Sequence, residues 1–372
     1  MRKLLLLFYI TSLILSGCAQ KRIVEDMGFI HSIGFELNEA EDAEEEGILT
    51  ITITFPQVRP SAAKDHVVLS TIAHTSKEGR TKLARQTERV LVSGQLRSVM
   101  FGDTLAKMGF FDTIDTFKRD HAVGLNLKVI VVNGSPKEML MTEFPEHPRI
   151  GRYIFELLEK EAQTHVTVDT SLHEFIRDYY DDGIDPIVPL MKAGKEEVIL
   201  DGIGLFNGDK LAMQVDPKKA RVFLMLHENH LGGTLTKQMR LKNETKEDDY
   251  LYITFNTLES TRKVNVQSPS EIQVNIDVKG SIDEFTGYVK LSDDEAQKDI
   301  EKKLAAYIKE TSEEIIEEMQ QNQTDSLGFG QFVRNSLSYK NWKEMKWKEE
   351  IYPDAKIDVN VNVKLKGFGD VK

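Results

Sequence analysis

The stretch Ile272-Gln273-Val274-Asn275-Ile276-Asp277-Val278 makes every second side chain apolar and every other one polar. A period of two belongs to a strand with one face on a core and the other in water, the usual habit of antiparallel sheets. Two more amphipathic strands precede it, Tyr250 to Leu258 and Arg262 to Val266. The chain closes on another, in which Ile357, Val359, Val361, Val363 and Leu365 alternate with polar residues. Between these strands the period changes. From Asp293 to about Gln321, the residues Ile300, Leu304, Ile308, Ile315 and Met319 form the apolar stripe of one long helix. Ser292 and Glu295 stand at capping-box spacing where it begins. This pattern predicts an α+β fold, with helices packed on mainly antiparallel or mixed sheets and the long helix in the C-terminal domain.

Working outward from there, Pro217 suits the first position of a helix reaching about His227. Before it, Val198 to Phe206 reads as a strand and Asn207-Gly208 as a hairpin turn. Two strands open the body. Ile23 to Leu37 is largely apolar, and Leu49, Ile51, Ile53 and Phe55 alternate with Thr50, Thr52 and Thr54, giving one apolar and one hydroxyl-bearing face. The run Glu39 to Glu46 between them reads as a solvated loop, since the ligand spacing of an EF-hand is absent. Helices are expected at Thr81 to Val92, Arg149 to Ala162 and Leu172 to Tyr180. Strands are expected at Ser98 to Phe101 and Gly124 to Val132, with Asp103 capping the helix after the first of them. Asp181-Asp182-Gly183-Ile184-Asp185-Pro186 is a turn. At 372 residues the chain is long enough for two or three domains. The polar stretch Lys192 to Lys195, with Gly194, divides it into 18–193, of one or two subdomains, and 194–372.

The chain opens on Arg2 and Lys3, an apolar run from Leu4 to Leu15, and then Leu15-Ser16-Gly17-Cys18. A cationic start, a short apolar run and small residues at a cut site make a secretory signal, here residues 1–17. The run is too short to span a bilayer, which takes about 20 residues. The Cys18 thiol is the nucleophile that takes the lipid, and the cut falls between Gly17 and Cys18. Two or more acyl chains make a lasting anchor where one does not. Lys21 and Arg22 would then sit by anionic headgroups, worth about 1 kcal/mol each. Cys18 is the only cysteine, so an intramolecular disulfide, a cysteine metal site and a catalytic thiol are excluded. Formal charge is −12. Loss of Arg2 and Lys3 leaves 46 cationic against 60 acidic side chains, or −14. So acidic a chain is no general nucleic-acid binder. Apart from the anchor end, it is repelled by anionic lipid.

Signatures of catalysis are weak throughout. There is no phosphate-binding loop ending in Gly-Lys-Ser/Thr and no Gly-x-Ser-x-Gly elbow. Gly202-Ile203-Gly204 follows a strand, but its third glycine, Gly208, comes one place late and a hairpin follows. His227-Glu228-Asn229-His230 lacks the four-residue spacing that sets two histidines on one helical face, and reads as a polar helix end. No metal and no cofactor are expected. Trp342 and Trp347, among Lys343, Lys346 and Lys348, read either as a local core with snorkelling lysines or as a partner-contact surface.

Three stretches carry a family resemblance. Asp325-Ser-Leu-Gly-Phe-Gly-Gln-Phe-Val-Arg334, with Trp342, Trp347 and the closing strand to Gly367, resembles the C-terminal signature of the Ger(x)C lipoproteins. Phe101-Gly-Asp-Thr-Leu-Ala-Lys-Met-Gly109, with Phe117-Lys-Arg-Asp120 and the strand to Val132, resembles that family's N-terminal half. Asp201-Gly-Ile-Gly-Leu-Phe-Asn-Gly-Asp-Lys-Leu211 resembles the opening of its C-terminal half. The family usually has Trp-Asp after the lipidated cysteine, where this chain has Ala19-Gln20. The resemblance implies a non-enzymatic C subunit of a spore germinant receptor, lipid-anchored on the outer face of the spore inner membrane. It implies A and B membrane subunits as partners and a role in nutrient-triggered germination. A lipid-anchored solute-binding protein of a transporter is the alternative reading. It would show two lobes of parallel α/β pattern around a cleft.

Overall fold

The computed structural model describes residues 26–40, 43, 47–57, 66–147, 149–239, 251–286 and 294–368. The signal, Gly17, Cys18 and the Ser292 cap lie outside them.

An eight-stranded mixed sheet holds β2 (Ser32–Leu37), β3 (Leu49–Pro56), β4 (His66–Ala73), β6 (Ser98–Gly102), β7 (Lys128–Val132), β8 (Ile187–Ala193), β9 (Val198–Asn207) and β10 (Lys210–Val215). Their order is β10-β9-β8-β7-β6-β2-β3-β4. The central strands β8, β7, β6 and β2 run parallel, and an antiparallel pair flanks them on each side. β1 (Met27–Phe29) and β5 (Val90–Val92) form a separate parallel ribbon.

Burial on both faces explains why β7 reads Lys-Val-Ile-Val-Val rather than alternating. Val129 and Val131 enter one core with Phe35, Phe101, Phe110 and Phe206. Ile130 and Val132 enter another with Met100, Met139 and Ile154. The helices supplying these layers are α1 (Ser76–Ala84), α2 (Asp103–Met108), α3 (Phe111–Arg119), α4 (Pro136–Met141), α5 (Ile150–Gln163) and α6 (Leu172–Tyr180).

A third sheet contains β11 (His230–Leu231), β12 (Thr234–Met239), β13 (Leu251–Ser268), β14 (Glu271–Thr286) and β15 (Lys356–Phe368). β13 pairs antiparallel with β11, β12 and β14, and β14 pairs parallel with β15. α7 (Pro217–His227) and α8 (Asp294–Gln321) pack on its apolar face, with α9 (Phe329–Ser336) and α10 (Tyr339–Glu344) beside them. The fold is α+β. Along α8 all five stripe residues are fully buried. On β14, Ile272, Val274, Ile276 and Val278 are buried while the residues between them reach solvent.

Several elements differ from their sequence reading. The helix expected over Thr81 to Val92 starts earlier, at Ser76, where the Thr75 hydroxyl accepts the Glu78 N–H at 3.2 Å. It stops at Ala84, and the β-branched Val90 and Val92 go into strand β5. Gly102, not Asp103, holds the N-cap of α2. The strand expected from Gly124 begins only at Lys128. The hydroxyl-bearing face of β3 is buried, as α4 and α5 cover it and Thr52 bonds Ser70 hydroxyl to hydroxyl at 2.9 Å. Two expected strands, ending at Leu258 and Val266, are one 18-residue strand whose bulges absorb the irregular spacing. The point between residues 193 and 194 falls in the turn from β8 to β9. The sheet continues through it by antiparallel pairing from Ala193 with Val198 to Ile187 with Leu205.

Candidate functional site

After α8 the chain forms a buried knot around Asp325. Asp325 is 2 % exposed. Its Oδ1 accepts the Phe329 N–H at 2.9 Å, and its Oδ2 accepts the Gly330 N–H at 2.6 Å and the Trp347 Nε1–H at 3.0 Å. Burial pushes this carboxyl up to about 7, against three donors that favour its ionised form.

The knot reaches back into the first half of the chain. The Asp325 N–H donates to Asp185 Oδ2 at 2.8 Å, and the Asp185 N–H donates to the Asp325 carbonyl at 3.2 Å. Asp185 Oδ1 also accepts the Gly208 N–H at 3.0 Å and an ion pair from Lys348. Arg334 grips Asp181 with both guanidinium arms, at 2.6 and 3.1 Å. Burial opposes ionised Asp181, yet Arg334, the Gly183 N–H and Gln331 hold its carboxyl below the ordinary range. Lys343 pairs with Asp182 at 2.5 Å. The Thr324 hydroxyl donates to the Phe206 carbonyl at 2.6 Å, and the Tyr352 hydroxyl to the Thr324 carbonyl at 2.8 Å.

Two glycines permit this closeness. A Cβ on Gly330 would lie 2.6 Å from Trp347 Nε1 and 2.8 Å from the Gly183 Cα. A Cβ on Gly183 would lie 2.6 Å from the Gln331 nitrogen. Beneath the knot, Arg262 donates to the His227 carbonyl at 2.8 Å and the Leu327 carbonyl at 3.0 Å, so a cation caps the C-terminal end of α7. Burial lowers this guanidinium to about 10.

Trp342 and Trp347 are 4 % and 3 % exposed, with ring centroids 6.5 Å apart. Both rings are packed into the C-terminal core, the local-core arrangement of the two readings. Phe332, in the same signature segment, lies at the surface, with Arg262 over its ring at 5.2 Å. The structure does not bring His227 and His230 together as ligands. His227 ends α7 and stacks near Phe223, whereas His230 lies by His165 with ring centroids 5.1 Å apart. Burial pushes both histidines down to about 4, helped by Arg262 at one and Arg221 at the other. No group of three potential metal ligands occurs among the described residues. Gly202 and Gly204 lie within β9, and the chain turns at Gly208 into β10 rather than into a helix. No described helix is long and apolar enough to cross a membrane.

The chemistry of the knot is mechanical. Its charges are spent on each other and on main-chain groups, and they tie the turn at 181–186 to the segment at 324–348. The sequence singled out Asp325 and the tryptophans but missed Asp181, Asp185, Arg334 and Lys348 as partners. Three aspartates crowded into one six-residue turn were the available signal.

The profile of the spore germination protein N-terminal domain matches residues 20–193. That of the spore germination B3/GerAC-like C-terminal domain matches residues 201–369. Spore germination protein GerQC of Bacillus cereus is 25% identical over 367 residues, covering 98% of both chains. Spore germination protein KC of Bacillus subtilis (strain 168) is 21% identical, covering 99% of this chain and 96% of its own. The crystal structure of the GerBC protein shares the fold with a TM-score of 0.54 and 15% identity, over 92% of this chain and 99% of that one. With both profiles matched in order along nearly its whole length, the chain belongs to the GerAC-like, or Ger(x)C, family of spore germination proteins.

Proposed function

We propose that this chain is the lipid-anchored, non-enzymatic C subunit of a spore germinant receptor. It acts in nutrient-triggered germination beside membrane-embedded A and B subunits, held on the outer face of the spore inner membrane by the lipid on Cys18. The observation that carries this reading is the ordered match of both family halves, over residues 20–193 and 201–369. The lipobox Leu15-Ser16-Gly17-Cys18 immediately before the first half supports the anchor. The Asp325 knot supports a mechanical role, because a displacement imposed on one half is passed to the other through buried bonds.

The test is genetic. Spores lacking this chain should lose or slow their response to at least one nutrient, and the intact gene should restore it. Spores that match their parent across a panel of amino acids, sugars and nucleosides would overturn the receptor reading. In the same strain, Cys18→Ala should abolish labelling by a fatty-acid analogue. Normal label on that variant would sink the anchor.

A further inference from the structure

The first described residues run into a cluster of cations. The His31 carbonyl accepts the N–H groups of Arg97 at 2.8 Å and Ser98 at 3.3 Å. The first turn of α5 presses on the same point. A Cβ on Gly151 would lie 2.7 Å from Ser32 Oγ and 3.1 Å from His31 Cβ, so the flanking Arg149 and Arg152 are held beside His31. Arg97 lies over the Phe155 ring at 5.3 Å, and Lys128 reaches the same ring at 5.9 Å. Burial, and then the charges of Arg97, Arg149 and Arg152, hold the His31 imidazole below its ordinary value despite its bond to Gln95. Two acids answer these four full cations: Glu156 pairs with Arg152, and Asp169 with Lys128. Arg97 and Arg149 make no ion pair among the described residues. The patch is net positive on a chain whose formal charge is −12.

Its position along the chain gives this charge a use. Only seven residues lie between Cys18 and Asp26, eight Cα steps with a reach of at most about 28 Å, and Lys21 and Arg22 are among them. The acidic remainder of the surface is repelled by an anionic bilayer, and this patch is attracted.

We infer that the surface around His31, built by Arg97, Arg149 and Arg152, rests on the anionic phospholipid headgroups of the bilayer that holds the Cys18 lipid. The contact orients the body over the membrane. This rests on the lipid-anchor reading above.

The mature chain carrying Cys18→Ser, which has no acyl group, isolates the contact. It is sedimented with vesicles of phosphatidylglycerol mixed into phosphatidylcholine, and with vesicles of phosphatidylcholine alone. Binding should require phosphatidylglycerol and fade with added salt. Arg149→Gln and Arg152→Gln, both at exposed positions, should each weaken it about fivefold with the thermal melt unchanged. Lys340→Gln, at an exposed position on α10, should leave it unaltered. Equal binding to both vesicles, or full binding by the double arginine variant, overturns the proposal. Fatty-acid labelling of the native chain separates the two failures. A labelled chain whose Cys18→Ser form shows no phosphatidylglycerol preference refutes the surface alone. An unlabelled chain refutes the anchor, and the orientation with it, whatever the vesicles show.

Discussion

Replacing Asp325 with alanine should be among the most costly single changes in the C-terminal half. The carboxyl accepts three buried donors, the N–H groups of Phe329 and Gly330 and the Trp347 indole. Alanine strands all three, at about 1–2 kcal/mol each, for a gross loss of about 3–6 kcal/mol. Part of this is offset, because burial already disfavours the ionised carboxyl, which it pushes up to about 7. The net loss should therefore be about 3–4 kcal/mol, near the low end. Urea unfolding of the mature chain carrying Cys18→Ser measures it. With a slope near 3 kcal/mol/M, the midpoint should fall by about 1 M. Trp347→Phe removes the indole donor and also shrinks a buried ring system, so alone it should cost about 1 kcal/mol for the bond and about 1–2 kcal/mol more for the vacated volume. In the Asp325→Ala background only the volume cost should remain, since the bond is already gone. A midpoint unmoved by Asp325→Ala, or strict additivity of the two changes, would refute the bonding scheme.

Phe329→Ala and Trp342→Ala empty core positions and should each cost about 3–5 kcal/mol in the same assay, whereas Phe332→Ala, at a partly exposed ring, should cost under about 1 kcal/mol. Equal losses at all three would contradict the burial difference. His227 stays neutral in the fold down to about 4, while the unfolded chain protonates it near 6.5. Its contribution is therefore intact above about pH 6.5 and is lost as pH falls towards 4, by up to about 3 kcal/mol. Urea midpoints of the parent should drop more steeply over that window than those of His227→Gln, and parallel curves would remove His227 as the cause. Gly151→Ala gains about 1 kcal/mol of helix propensity but drives a methyl to 2.7 Å from Ser32 Oγ, so thermal melts should show a net loss. A neutral or stabilised variant would mean that the start of β2 yields easily.

Legibility in the sequence followed the range of the interaction. The stripe of α8 and the alternation of β14 are local patterns fixed by burial of one face, and both read directly from spacing. α1 was misplaced because Val90-Leu91-Val92 is apolar enough to extend a helical stripe. Only its pairing with Met27–Phe29, about sixty residues earlier, makes it a strand. The alternation of β3 separates an apolar face from a threonine face, but nothing local says what covers the threonines. Helices from later in the chain lie over that face, and the Thr52 hydroxyl bonds that of Ser70 on β4. Asp325 was recognisable as part of a signature, but its bond to Asp185 joins residues 140 apart. No periodicity spans that distance, and an aspartate in a turn has the same local appearance with or without such a partner.

The strands β9 and β10 have consequences for recombination. Their main chains complete the sheet of the first half, yet Ile203, Leu205, Met213 and Val215 point into the core of the second. A chimera joined at residue 193, between the two matched profiles, would give β8 an edge partner from a foreign parent. One joined after Val215 would preserve every rung of the sheet but lay a foreign α7 and α8 on those four side chains. Neither crossover yields modules that travel independently, so exchanges between relatives should succeed only where the parents agree at this seam.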